Sequence, residues 1–199
     1  ARQRPPVGGQ PRRLADAFSP DHVIWRFDPV IFSSVTPPGM ILENFDRIAG
    51  ALDGATGRCI FSFVDYYGKV LRSFDALHRQ TGIGFHLDER EFEAIEKKPG
   101  AFSPGAFTAN HSTEDKLGFT RSLAACAASH GLGLFACCEE FALRADPPAV
   151  HRAACIDARL IGELAGRPLD IPSRPTRPGC GCCESVDIGA YDTCPHGCA

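Results

Sequence analysis

The sequence predicts an α/β fold organised as a partial or incomplete (β/α) barrel with an irregular, cysteine-rich C-terminal tail. Three observations lead there. Runs of β-branched and aromatic residues alternate with amphipathic helical stretches, the pattern of parallel strands joined by right-handed crossovers. The chain has 199 residues, short of the roughly 250 that a complete eightfold barrel takes. Beyond about residue 167, proline, glycine and cysteine replace the apolar periodicity. The expected division is a flexible leader over residues 1–20, an α/β domain over 21–170 and a Pro/Cys-rich, incomplete metal-binding tail over 171–199.

The leader carries Arg2, Arg4, Arg12 and Arg13 among prolines and glycines and reads as a solvated arm. The run over 22–32, "HVIWRFDPVIF", is rich in β-branched and aromatic residues and closes on Asp28-Pro29, so it reads as a buried strand; "RCIFSFVDYY" over 58–67 is a second. Between them a helix begins at prolines, places Ile41, Phe45, Ile48 and Leu52 on one face and stops at Gly54 and Gly57. A helix over "VLRSFDALHRQ" follows, then a Gly-, Pro- and Phe-rich stretch up to residue 111 that reads as an insertion. Ser112 and Thr113 offer caps for a helix that ends at Gly131, before a third strand over 132–140, "LGLFACCEE". A short helix capped by Asp157 covers 155–166, and "RPLDIPSRPTRPG" connects it to the tail.

The composition excludes some functions. The net charge of −3 leaves no basic footprint, and no basic stripe interleaved with aromatic residues supports nucleic-acid binding. No run approaches the ~20 apolar residues of a membrane span, and the start lacks the apolar core of a secretory signal. The expected location is therefore the cytoplasm, with no membrane partner. The chain starts at Ala1 and its single methionine is Met40, which predicts a processed or truncated start.

Each of the three strands ends in acids: Asp28, Asp65, and Glu139 with Glu140. The C-terminal ends of parallel strands form the active face of α/β folds, which makes these carboxylates the catalytic candidates, together with Arg26. Arg26 and Asp28 lie two apart and so project to the same side of their strand, opposite Trp25 and Phe27. The pair fits a ligand site and a structural ion pair equally well. Asp65 reads as structural unless Tyr66, Tyr67 and Lys69 join it at the rim.

Ten cysteines in a chain of this kind point to metal or catalysis rather than disulfides. Cys59 and Cys126 stand alone in apolar patterns, whereas Cys180, Cys182, Cys183, Cys194 and Cys198 crowd the tail. Neither half of the tail matches a C-x₂-C zinc knuckle. A tetrahedral zinc site using one cysteine from each tail pair with Cys138, Cys155 or His196 stays open. Adjacent cysteines cannot both readily reach one metal, so one of Cys137 and Cys138, and one of Cys182 and Cys183, is expected to serve packing.

The phrase "GCGCCESVDIGAYDTCPHGC", together with "VIWRFDP", "SFVDYYGK" and "CCEE", resembles the bacterial family known as domain of unknown function 1848. The match runs from about residue 20 to the end. The resemblance implies a C-x₃-C-x₂-C loop like that of radical S-adenosylmethionine enzymes, in which three thiolates hold a 4Fe–4S cluster and the open iron binds S-adenosylmethionine. Cys194 and Cys198 match the first two positions, the third falls beyond Ala199, and His196 becomes a loop residue. The resemblance thus implies a piece truncated at both ends and inactive as it stands. Cys180 and Cys182, with Cys138 and Cys155, are further metal candidates by clustering alone.

Two functions follow. One is an iron–sulfur enzyme of radical S-adenosylmethionine-like type, taking an unidentified small-molecule substrate and an electron donor. The other is a non-catalytic zinc-binding or structural α/β protein whose tail locks onto the sheet.

Overall fold

The computed structural model describes residues 9–97, 102–186, 188–190 and 193. The elements run α1 (Gly9–Ala17), β1 (Ile24–Val30), α2 (Pro38–Ala51), β2 (Arg58–Phe63), α3 (Gly68–Thr81), β3 (Phe85–Asp88) and α4 (Glu89–Glu96). They continue with β4 (Phe107–His111), α5 (Thr113–Ser129), β5 (Gly133–Ala136), β6 (Val150–Arg152) and α6 (Ala158–Leu164). Within the leader, read from the sequence as a flexible, solvated arm, Gly9–Ala17 is helical; Pro11 sits in the first turn, where a missing N–H costs nothing.

Four parallel strands form the main sheet in the order β1-β2-β5-β6. β2 lies inside it, and five of its six residues are buried, as expected for a parallel strand covered on both faces. Side chains alternate between the faces. Trp25, Phe27, Phe61, Leu134 and Val150 join the cluster formed with Phe45 and Ala49 of α2 and Leu123 and Ala127 of α5. Trp25 stacks on Phe45 at 4.6 Å and Phe27 meets the same ring edge-on at 5.0 Å. Burying each such aromatic ring contributes about 1.5–3 kcal/mol, so this face carries most of the cohesion.

The barrel expectation is met only in its parallel α/β character. In a barrel β2 would pair with β3, but here β2 pairs with β5, and β3 and β4 form a separate two-stranded parallel sheet. The reason is a second core: Leu71, Phe85, Leu87, Ile95, Ala106 and Phe107 are buried together, with Phe74 stacked on Phe85 at 4.1 Å. The Phe-rich insertion therefore folds on itself and touches the main sheet through Ser33 and Phe85 and the His86 N–H bond to the Phe32 carbonyl, 2.9 Å. Among the described residues the main sheet is open at β1 and β6.

The helix ends follow their local chemistry. Ser112 accepts from the Asp115 N–H while Asp115 accepts from the Ser112 N–H, a closed capping box that starts α5. Asp157 caps α6 by accepting from Arg159 and Leu160 at 3.1 Å. β5 is shorter than the predicted 132–140 run: the chain leaves the sheet after Ala136, and Cys138 adopts a left-handed φ of 62°. No helix among the described residues is long and apolar enough to cross a membrane.

Candidate functional site

Helices cover one face of the main sheet; the other carries Arg26, Asp28, Ile60, Ser62, Phe135, Cys137 and Ala153 toward a polar rim at the C-terminal ends of the strands. The tail closes over this rim. Residues 172–184 fold back on themselves through the Ser173–Cys183 bridge and the Arg174 N–H bond to the Cys182 carbonyl, 3.0 Å. The Cys183 N–H donates to the Ile156 carbonyl at 3.0 Å, which pins the loop beside β6. Gly181 allows the close approach: a Cβ there would stand 2.7 Å from the Ala153 carbonyl oxygen. Gly179, at φ 77°, passes equally near Cys138 and Glu140.

Arg26 forms an ion pair with Asp28, confirming that the two share one side of β1, and also donates to the Cys155 sulfur at 3.0 Å. Cys155 and Cys137 stand 3.4 Å apart, sulfur to sulfur. Of the adjacent pair it is therefore Cys137, not the predicted Cys138, that faces Cys155. Cys138 has a left-handed backbone, and its thiol, like that of Cys137, meets the Arg177 guanidinium. Burial raises the Cys138 thiol and pushes Cys155 up to about 11, in each case against the pull of an arginine.

Arg177 links the tail to β2, ion-pairing with Asp65 just past the strand's end. Asp65 is thus held by the tail. Tyr66 turns away into the core of the second sheet, against Phe74 and Phe107. Glu140 is exposed and takes both nitrogens of the Arg152 fork, Nη2 to Oε2 at 2.9 Å, while Arg152 also donates to the Gly179 carbonyl at 3.1 Å. That pairing holds the Glu140 carboxyl below its ordinary range.

Glu139 differs from its neighbour. Its side chain turns inward and accepts the Phe63 N–H at 2.8 Å, and burial pushes its carboxyl up to about 7 despite that bond. Beyond Phe63 lies Lys116, 6% exposed, bonded to Asp88 at 3.0 Å and Glu91 at 2.7 Å with its ammonium 5.2 Å from the Phe63 ring centroid. A carboxyl that burial raises toward neutral pH suits general acid–base chemistry. Lys116 was illegible in the sequence as a rim residue because it lies within an otherwise apolar helix face.

Cys180 accepts from the Cys182 N–H at 3.5 Å and the Thr176 hydroxyl at 3.6 Å. Hydrogen bonds from the Thr176 backbone, the Cys182 backbone and the Thr176 hydroxyl bring its thiol down to about 6, which favours the thiolate. Cys182 is buried and accepts from the Ile156 N–H at 3.4 Å. The predicted Cys194 and Cys198 lie outside the described residues. The metal candidates Cys138, Cys155, Cys180 and Cys182 thus lie along one rim without forming a three-ligand group there among the described residues. Among the described residues, the group whose donor atoms all lie within 4.8 Å of one another is Asp46, Cys126 and His130, on the outer surface of α2 and α5.

A pocket of about 570 Å³ runs along the open edge of β1, between Ile41 and Ile48 of α2 and Phe74 and Leu77 of α3. Arg26 and Asp28 line its polar end. It offers apolar walls and a charged end to a small molecule.

The family model described as "Domain of unknown function (DUF1848)" matches residues 9–199. No curated protein and no solved structure gives a significant match.

Proposed function

The chain belongs to the DUF1848 family, and we propose that it is an iron–sulfur protein of radical S-adenosylmethionine-like type whose chemistry takes place over the C-terminal rim of the sheet. The observation that carries this reading is the docking of the tail: Arg177, Gly179 and Gly181 hold it against β2, Cys138 and β6, so that Cys180 and Cys182 share a rim with Cys137 and Cys155. The donor chemistry fits such a cluster. Iron–sulfur centres take thiolates, and Cys180 is already in that form near neutral pH. Cys194 and Cys198 follow within twenty residues on the same tail and would be cluster ligands, with a rim thiol completing the set. When bound, a 4Fe–4S cluster of this type supplies one-electron reduction of S-adenosylmethionine, with an electron donor as partner.

The chain's own residues then have definable roles. The pocket beside β1 takes a small-molecule substrate, with Arg26 and Asp28 at its mouth. Glu139 gives or takes a proton, since its carboxyl is held at about 7. Arg152 and Arg177 hold the rim in place through Glu140 and Asp65.

The test is anaerobic reconstitution with iron and sulfide. The wild-type chain should take up both and turn brown, and Cys194→Ser, Cys198→Ser and Cys180→Ser should each reduce uptake. Wild-type protein that binds neither overturns the reading. The 3.4 Å approach of Cys137 and Cys155 favours a second reading, a tetrahedral zinc site that locks the tail; zinc without iron after anaerobic purification, lost in Cys137→Ser and Cys155→Ser, would select it.

A further inference from the structure

We infer that a second, independent metal site lies on the outer surface of the helical layer, formed by Asp46 of α2 with Cys126 of α5 and His130 at its C-cap, and suited to a zinc-like divalent cation. The three donor atoms lie within 4.8 Å of one another. His130 Nε2 is 2.8 Å from Asp46 Oδ1, and the Cys126 sulfur is 3.5 Å from the same oxygen. One carboxylate oxygen therefore already gathers both other ligands about a common point.

The sequence places two of these ligands by helix geometry. Cys126 and His130 are four residues apart, so they project from the same face of the last turns of α5. His130 caps that helix, where the unpaired carbonyls favour a cation. Its ring rests against α2 at Gly50, 3.6 Å from where a Cβ would stand. A thiol that the metal would deprotonate, an imidazole and a carboxylate together match zinc, which accepts sulfur, nitrogen and oxygen in a tetrahedron and leaves the fourth position to water.

The location separates this site from the rim. His130 lies just before β5 begins, at the N-terminal end of the strands, whereas the rim thiols follow their C-terminal ends. The metal would tie α2 to α5, the two helices that cover the apolar face of the sheet. Its role is to brace the fold, and it does not depend on the rim holding a cluster.

The reduced, metal-free full chain is titrated with Co²⁺ as the spectroscopic stand-in and then with Zn²⁺ in competition. Asp46→Asn, Cys126→Ser and His130→Gln are compared with wild type, all rim and tail cysteines being retained. Each variant should lose one equivalent of tight Co²⁺, or bind it more than about tenfold more weakly. Cys126→Ser should also lose one sulfur-to-cobalt charge-transfer contribution. Asp46 is 63% exposed, so Asp46→Asn tests the site even if a helix variant fails to fold. Unchanged stoichiometry, affinity and spectrum in Asp46→Asn and Cys126→Ser would overturn the inference, and the result is separable from the iron uptake that tests the rim.

Discussion

The sheet face covered by α2 and α5 is closed by apolar packing, while the face beneath the tail is closed by ion pairs and thiols. On the first, Phe45, Phe61 and Leu123 are wholly buried. On the second, Arg26, Glu140 and Arg152 remain partly open to water, and Arg26, Arg152 and Arg177 each have an acid partner. The contrast assigns stability to one face and chemistry to the other, because partly solvated charge contributes little to stability but can meet a ligand.

The sharpest way to break this contrast is to empty the apolar face. Phe61→Ala should cost about 3–5 kcal/mol in denaturant unfolding; a loss of less than about 1 kcal/mol would mean that the packed face does not carry the fold. Next is Lys116→Met, which leaves Asp88 and Glu91 without their buried cation and should cost roughly 3 kcal/mol at neutral pH. The deficit should shrink in acid as Glu91, whose carboxyl burial raises above its ordinary range, takes up a proton.

Glu139 gives a smaller, pH-dependent effect. Its folded value of about 7 lies above the ordinary 4.5, so the folded state binds more protons between those values. Its contribution is fully present below about pH 4.5 and is lost as pH rises through about 7. Glu139→Gln, which keeps an acceptor for the Phe63 N–H, should flatten that part of the stability–pH curve; an unchanged slope would show that Glu139 is solvated.

Reactivity separates the thiols. At neutral pH a limiting alkylating agent should label Cys180, held at about 6, ahead of Cys126, which burial and Asp46 push up to about 11. Peptide mapping reads the order, and labelling of Cys126 first would contradict the thiolate assignment. The smallest expected effect is that of Arg177→Gln: less than about 1 kcal/mol of stability, and less still in high salt. Faster proteolysis of the tail would accompany it if the Arg177–Asp65 pair holds the tail down.

Within the site, legibility followed distance along the chain. Arg26 and Asp28 were readable as partners because a strand's two-residue period puts them on one side. The caps at Ser112 and Asp157 were readable because each bond spans two or three residues. Cys126, by contrast, stood alone in an apolar pattern on the sequence, and its partner Asp46 lies 80 residues away, with no local pattern to join them. The choice of Cys137 over Cys138 depends on one left-handed backbone angle at a residue other than glycine, which no composition rule foretells.

The sequence by itself determined the alternation of strands and helices, the apolar stripe of α2, the capping of α5 and α6, and the crowding of cysteines in the tail. Each of these depends on periodicity or on contacts within one or two turns. Only the tertiary structure decided that β2 skips the insertion to pair with β5, and that Arg177 crosses 112 residues to reach Asp65. Closing a long loop costs only slightly more than closing a shorter one, so chain length does not select the partner. Packing selects it: the insertion buries its own phenylalanines, and what remains of the sheet closes around Phe61.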